Sequence, residues 1–539
     1  MAITPILLDD DGWKQLTTLL ENRQSNKIIV PNLVRHFEEL GAVTVLVEDE
    51  YLDRDFTEAY ASYYATLFKR HSKICSRVHL FSTDLSEILA SESAKNLARK
   101  LEQEGQSSYL GFVVLRPIHE APLAQAVLKT PDPPSEYECH PLVKAEFSVH
   151  VLGAELKIDA MPMTQQDQRI GACAQASIWS ASRHFHVRHR GPWVSMVGIT
   201  EAALSHESAG VSSTIPNGSE FLSLNGMVSS LRASGRKPLT YLGEGASTPF
   251  KWQGIRPKDV INRYLDSGIP VIVGLFDPKW GEGHAVVATG QVFNSSSLDK
   301  SKLPIRPTRA EFCSAYYVND DQRGPNLRMA VGTGGSIGET DYSVEENIYF
   351  LIVPLPDKVF VPAEKAELFA WGLLETYQAS WKNICRDFSN ILKSSVELGN
   401  EFSAEIQSND VIARTYLTYG WKYKHRLIRN NLTPETQAFA RSTELPRYVW
   451  VTEFGTVDSL SHVDKKERRI FAHCVVDATA KNMGEDCRLF FHGPGLAIRR
   501  FHDPQNPSGD YKEENLIIPD DQAYYPKLRG TVDFQEYDE

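Results

Sequence analysis

This 539-residue chain is short of the residues that disulfide chemistry, membrane insertion and nucleic-acid binding each require. Its seven cysteines, at 75, 139, 173, 313, 385, 474 and 487, are odd in number and nowhere spaced C-x-x-C. That argues against a disulfide framework and a zinc ribbon. The longest apolar runs, such as Ile269 to Phe276, fall well short of the ~20 residues a spanning helix needs. Basic residues do not predominate: Lys+Arg 57 against Asp+Glu 69 leaves a formal charge of -12 and a pI of about 5.8. A nucleic-acid binder is expected to carry a concentrated basic face, and the short runs Lys422 to Arg426 and Lys465 to Arg469 read instead as solvated faces or turns. No basic stretch precedes Asp9-Asp10-Asp11, so the opening residues do not read as a secretory signal. A cytoplasmic protein with reduced thiols, binding neither membrane nor nucleic acid, is the expectation.

What remains is an ordinary globular composition, 42% hydrophobic and 23% charged, which excludes global disorder. At about 100–200 residues per domain the length suggests three segments: 1–150, mixed α/β; 151–356, a central domain; and 357–539, α+β. In the first, Asp53 to Lys73 has helical character and Tyr109 to Leu115 reads as a strand stopped by Arg116-Pro117. Phe147 to Ile158 reads as extended. In the second, a helix over Arg256 to Gly268 leads to strands at Ile269 to Phe276, His284 to Gly290, Ala315 to Asn319 and Ile348 to Val353. In the third, Glu364 to Leu398 is helix-like, Thr433-Pro434-Glu435 looks like a helix start, and Tyr448 to Glu453, Ile470 to Asp477 and Cys487 to His492 read as strands. The tail from Asp503 reads as loop-rich and acidic.

The most informative stretch is Gln166-Asp167-Gln168-Arg169-Ile170-Gly171-Ala172-Cys173. Ala174, Ile178, Ala181 and Phe185 follow at i, i+4, i+7 and i+11, one apolar helix face. Cys173 therefore falls in the first helical turn, where unpaired N–H groups and the macrodipole favour a thiolate. A thiolate nucleophile needs an imidazole, and the imidazole a third group to fix its tautomer. His184 would lie roughly 16 Å along the helix axis and cannot serve. His284 follows a glycine-rich loop and opens an apolar strand, so it can face a cleft while the strand anchors it. The next strand ends Val318-Asn319-Asp320-Asp321, and Asp320, or less strongly Asn319, could accept the ring N–H.

The ordered set of a glutamine, Cys173, Gly268-Ile269-Pro270-Val271-Ile272-Val273, Gly283-His284-Ala285-Val286-Val287 and Val318-Asn319-Asp320 resembles the papain-like cysteine peptidases. It is nearest the branch of double-glycine leader peptidases. The resemblance covers roughly residues 160 to 355. It departs from the family in having Ala174 where glycine commonly follows the nucleophile, and Asp167 where the glutamine usually stands. It implies an α+β fold in which the Cys-bearing helix packs on an antiparallel sheet. It also implies a catalytic set of Cys173, His284, Asp320 and Gln166, with Gln168 the alternative oxyanion donor. Trp280 is a candidate lining for a substrate groove, or a stabiliser of its own loop.

No cofactor or metal is expected. The His184 to His189 cluster lacks converging partners, and Gly332-Thr333-Gly334-Gly335-Ser336 lacks the lysine of a phosphate loop. The expected activity is cleavage of a peptide or isopeptide bond in a protein or peptide substrate. The flanking segments would set target choice or respond to a regulatory protein partner. Acyl transfer or glutamine deamidation on the same residues, as in transglutaminase-like relatives, and a non-catalytic scaffold are the alternatives.

Overall fold

The structure is a computed structural model. It describes residues 3–21, 28–91, 93–167, 169–204, 222–245, 247–281, 283–294, 296, 298–333, 337–387, 410–428, 432–462, 464–481, 487–502, 505, 511–518 and 524–528. The fold is α+β with antiparallel sheets. The chain forms two compact units from interleaved stretches. Met1–Gln253, Pro270–Val292 and Ser314–Leu355 make the first; Gly254–Ile269, Phe293–Cys313 and Pro356–Glu539 make the second. Among the described residues, no helix is long and apolar enough to cross a membrane.

The first unit begins with an antiparallel meander: β1 (Ile3–Leu7), β2 (Thr44–Tyr51), β3 (Cys75–Phe81), β4 (Tyr109–Leu115) and β5 (Leu123–Leu128), in that order in the sheet. Strand alternation sends side chains to two cores. Val45, Val47, Val78, Leu80 and Val113 meet α1 (Asp10–Glu21) and α2 (Ile29–Glu39) on one face. Leu46, Phe112, Val114 and Val127 enter a second core on the other. Both faces of β4 are thus covered, which is why Tyr109 to Leu115 is a continuous apolar run.

The second core is shared with α3 (Arg54–Ser62), which Asp53 caps by accepting from the Phe56 N–H. After the short strand β6 (Glu138–His140), a hairpin of β7 (Ala145–Val151) and β8 (Ala154–Ala160) completes it with Phe147, Val149, Leu156 and Ile158. The stretch expected to run extended from Phe147 to Ile158 therefore reverses, through Leu152 and Gly153 at φ 52° and 83°. Alternation reads the same in both arms across a two-residue turn, and leucine is not a usual first residue of such a turn. Because this core also holds Ile170, the N-terminal segment and the stretch leading to Cys173 fold as one body. Met163 and Ala126 exchange both backbone hydrogen bonds, pinning the approach to Gln166 against β5.

A larger sheet carries the rest of the unit: β9 (Arg236–Leu242), β10 (Val271–Phe276), β11 (Gly283–Phe293), β12 (Cys313–Asp320), β13 (Gly324–Ala330) and β14 (Ile348–Pro356), in the order β13-β12-β11-β10-β14-β9, with β6 also on β11. The helix α4 (Cys173–His189) contacts β7, β10, α5 (Met196–Leu204) and α6 (Leu224–Ala233). The expected single apolar face is consequently too narrow a reading, since every residue from Cys173 to Phe185 is buried. Serines, alanines and Gln175 let neighbours approach α4 on all sides.

In the second unit, α7 (Pro257–Asp266) and α8 (Ala363–Asp387) accompany an antiparallel sheet of β15 (Val411–Tyr419), β16 (Tyr448–Thr456), β17 (Ala472–Asp477), β18 (Arg488–Gly493), β19 (Leu496–His502) and β20 (Tyr511–Ile517). Arg263 of α7 forms a buried two-pronged pair with Glu367 of α8, which also accepts from Thr415 of β15. The part of the expected long helix beyond Asp387 lies outside the described residues. The basic run at Lys422 to Arg426 is not wholly a solvated face. It lies in α9 (Gly420–Ile428), and Tyr423 is buried with its hydroxyl 2.8 Å from His473 Nε2.

One packing contact sets the strand that holds His284. A Cβ added at Gly274 in β10 would run into the ring of Phe350 in β14, beside the bulge where β10–β14 register shifts at Gly274/Leu275. Gly274→Ala is therefore expected to destabilise the chain by about 1–3 kcal/mol. Phe350→Ala in the same chain should recover part of that loss, measured by thermal unfolding as a double-mutant cycle.

Candidate active site

The site is assembled in the first unit from a helix start, a strand start and a strand end. Cys173 is the first residue of α4, and Ala172, at φ -100° and ψ -174°, leads into it. The N–H groups of a helix's first turn have no partner within the helix, so the backbone at Cys173 offers donors beside the thiol. The loop before it is organised by Asp167. Its Oδ1 accepts from the N–H groups of Arg169, Ile170 and Gly171 at 3.1, 2.8 and 3.0 Å, and its Oδ2 from the Tyr64 hydroxyl at 2.7 Å. The Asp167 carboxylate thus has a structural task. Gln175 accepts from the Ala172 N–H at 3.1 Å and closes the turn.

His284 is the second residue of β11, pairs with Leu275 of β10 and is buried. Ser177, one turn after Cys173, donates to the Ala285 carbonyl at 3.0 Å. This bond fastens the cysteine helix to the peptide next to the histidine. His284 Nε2 lies 3.0 Å from Asp320 Oδ1 at the end of β12. Nδ1 is buried with no partner meeting full hydrogen-bond geometry, and the Cys173 side chain is close enough to act on the ring as a hydrogen-bonding neighbour. Cys173, His284 and Asp320 are therefore brought together.

Asp320 is fully buried and surrounded by donors. Besides His284, its Oδ1 accepts from the Gln322 and Arg323 N–H groups at 2.9 and 3.2 Å. Its Oδ2 accepts from Tyr342 Oη at 2.7 Å and Arg323 Nη1 at 3.2 Å. Tyr342 also sets its ring edge-on to His284, centroids 6.5 Å apart, and to half-buried Trp280 at 6.0 Å. Trp280 is thus tied to the aromatic packing behind the imidazole. The neighbouring Asn319 is occupied elsewhere: its amide donates to the Pro162 carbonyl and accepts from the Asn326 N–H. Gln166 is half-buried, and its backbone is a hydrogen-bonding neighbour of Asp321. Gln168 lies outside the described residues, as do Gly334 to Ser336 of the glycine-rich stretch.

Burial alone would strip the proton from His284, but the charge and hydrogen bond of Asp320, the Cys173 contact and the charge of Asp321 outweigh it. The ring is held well above an imidazole's ordinary range. Burial pushes the Asp320 carboxyl up, yet His284, Arg323 and the Tyr342 hydrogen bond pull it well below the usual carboxylate range. The pair is thus an imidazolium facing a carboxylate.

Among the described residues, His284, Asp320 and Asp321 are the one group whose ligand-type atoms converge, within 4.8 Å of one another. The donor chemistry fits a metal poorly. Nε2 is spent on Asp320, and both Asp320 oxygens already take N–H or O–H donors, one of them cationic. Sequence reasoning did not find Tyr342 or Ser177, and it gave no role to Asp167 or Asp321. No family model matches this chain, and comparison with curated proteins gives no match.

The paired shifts define a window for stability. His284 is raised, so its contribution is complete below the ordinary imidazole value of about 6.5 and is lost as pH rises through the folded value. Asp320 is depressed, so its contribution is complete above about 3.9 and is lost as pH falls through the folded value. Asp320→Asn, which leaves a buried imidazolium without its carboxylate, is expected to cost about 3–5 kcal/mol at pH 5–6. The cost should shrink at alkaline pH once the ring is neutral, as read by thermal unfolding across pH.

Proposed function

We propose that this chain is a thiol hydrolase of the papain-like kind, cleaving a peptide or isopeptide bond in a protein or peptide substrate. The observation that carries the reading is the single imidazole placed between a helix-start cysteine and a buried, donor-saturated carboxylate.

In the proposed reaction the Cys173 sulfur, as thiolate, attacks the substrate carbonyl carbon, forming the C–S bond and placing negative charge on the oxygen. The Cys173 backbone N–H and the Gln166 side chain are the donors assigned to that oxygen, an interaction typically worth a few kcal/mol per donor. Collapse of the tetrahedral species breaks the C–N bond as His284 delivers its proton to the leaving amine. Water, giving a proton back to His284, then splits the thioester and regenerates the thiol–imidazole pair. Asp320 keeps the ring oriented throughout. Tyr342 and Arg323 keep Asp320 ionised, and Ser177 holds the helix and strand in register.

The test is to incubate wild type, Cys173→Ala and His284→Ala with a peptide mixture from digested cell protein and to sequence newly formed N-termini by mass spectrometry. New N-termini from wild type, reduced on the order of 10³-fold or more in either variant, are expected. Conversion of glutamine to glutamate, or amine incorporation, without new N-termini would replace hydrolysis by acyl transfer. No Cys173-dependent product of any kind would leave a scaffold. A milder variant, Ser177→Ala, is expected to reduce turnover about 10–100-fold with little change in KM, because it loosens the alignment of reacting groups and not the grip on substrate.

A further inference from the structure

The carboxyl next to Asp320 has no place in the reaction described above, and it is the more unusual of the two. Asp320 has five hydrogen-bond donors on its two oxygens. Asp321 is also buried, 4% exposed, and neither of its oxygens has a partner meeting full hydrogen-bond geometry. Its Oδ1 lies 4.0 Å from His284 Nε2, on the Asp320 side of the ring, and the backbones of Gln166 and of Asp321 itself are its hydrogen-bonding neighbours. A buried carboxyl whose hydrogen bonds fall short of good geometry costs stability wherever it stands. Such groups concentrate where a protein uses the strain.

The geometry points to Asp321 as a proton-linked positioning residue for His284: its ionisation places a second negative charge behind the ring and strengthens the hold on the imidazolium. The inference takes its functional meaning from the thiol-hydrolase reading. Among the described residues, the charged groups acting on Asp321 are His284 from β11 and Asp320 from its own turn, while Arg323 and Tyr342 bear on Asp320 and Cys173 on the ring. Arg323 is committed to Asp320 and Asp341, so among the described residues the ring is the cation for Asp321 to act on.

The physical logic is a competition. Burial, the larger influence, and the Asp320 charge push the Asp321 carboxyl up to about 7, against the pull of the imidazolium and of the Asp321 and Gln166 backbone groups. In the lower part of the neutral range the group is a neutral acid and Asp320 alone holds the ring. Above it, the proton leaves to solvent and two carboxylates flank one imidazolium. The extra charge delays loss of the ring proton at alkaline pH, which keeps the acid for the leaving amine in place. The same shift destabilises the fold. An aspartate raised from its unfolded value of about 3.9 lowers stability progressively as pH climbs from that value through the folded one, and no further beyond it.

The test is a ring-nitrogen NMR titration of His284 in full-length chain labelled with 15N-histidine, as wild type and Asp321→Asn. Thermal unfolding of both at pH 5 and pH 8 accompanies it. Asp321→Asn is expected to lower the pH at which the imidazolium is lost by at least ~0.7, roughly a fivefold change in the proton equilibrium, which is the effect of a unit charge this close even at water's screening. The variant is also expected to gain stability relative to wild type, more at pH 8 than at pH 5. Asp321→Ser provides a second neutral side chain should the asparagine fail to fold. An unshifted His284 titration, or a loss of stability equal at both pH values, overturns the inference. Repeating the titration in Cys173→Ala separates the two claims. A chain that cleaves nothing but shows the shift sinks the hydrolase reading alone, and a hydrolase without the shift sinks the role of Asp321 alone.

Discussion

A charged imidazole held inside the first unit is the constraint on which the rest of the site depends. Placing an ion in a buried position costs several kcal/mol unless an opposite charge and hydrogen bonds stand in for water. At His284 the replacement is Asp320, and Asp320 in turn is kept ionised by two backbone N–H groups, a guanidinium and a phenol. The strand β11 fixes the ring's position through its pairing with β10, and the bond from Ser177 to Ala285 brings the cysteine helix to it. Remove any layer of this arrangement and the charge loses either its partner or its address.

The same logic explains why Cys173 sits in an atypical helix. A helix buried on every side through Phe185 is rich in small residues and needs partners for its polar groups. Partners are found for Ser177 on a strand carbonyl, Trp179 and Arg183 on Asp55, and Gln175 Oε1 on the helix's own N-terminus. In the loop feeding it one carboxylate, Asp167, collects three successive backbone N–H groups. Tyr64, anchored in the N-terminal core, holds the other oxygen. The N-terminal segment is therefore part of the scaffold of the site, which accounts for its sharing one compact unit with Cys173, His284 and Asp320.

Much of this was legible from residue order. Helix starts and strand ends are written locally, in Gly171 before a periodic helix, in the glycines around His284 and in the Asn-Asp-Asp that stops β12. Those edges are where Cys173, His284 and Asp320 stand. The apolar runs located β4, β10, β11 and β14 to within a few residues. What stayed hidden depends on contacts across long stretches of chain. Ser177 reaches a carbonyl 108 residues away, and Tyr64 reaches Asp167 across 103. Tyr342 belongs to a loop whose sequence carries no periodicity, so nothing local marks its hydroxyl as the partner of Asp320. The interleaving of the two units was equally invisible, because which body Gly254–Ile269 and Phe293–Cys313 pack into depends on tertiary contacts that no local pattern encodes.

The most direct test of the central claim is the rate of Cys173 carboxamidomethylation by iodoacetamide between pH 5 and 9, resolved from the other six cysteines by peptide mass spectrometry. It is to be measured in wild type and His284→Ala. A buried imidazolium beside the sulfur predicts labelling of Cys173 that persists well below pH 7 and is lost below pH 7 in the variant. Slow labelling that rises only toward an ordinary thiol range near ~8.5, identical in both proteins, would contradict it.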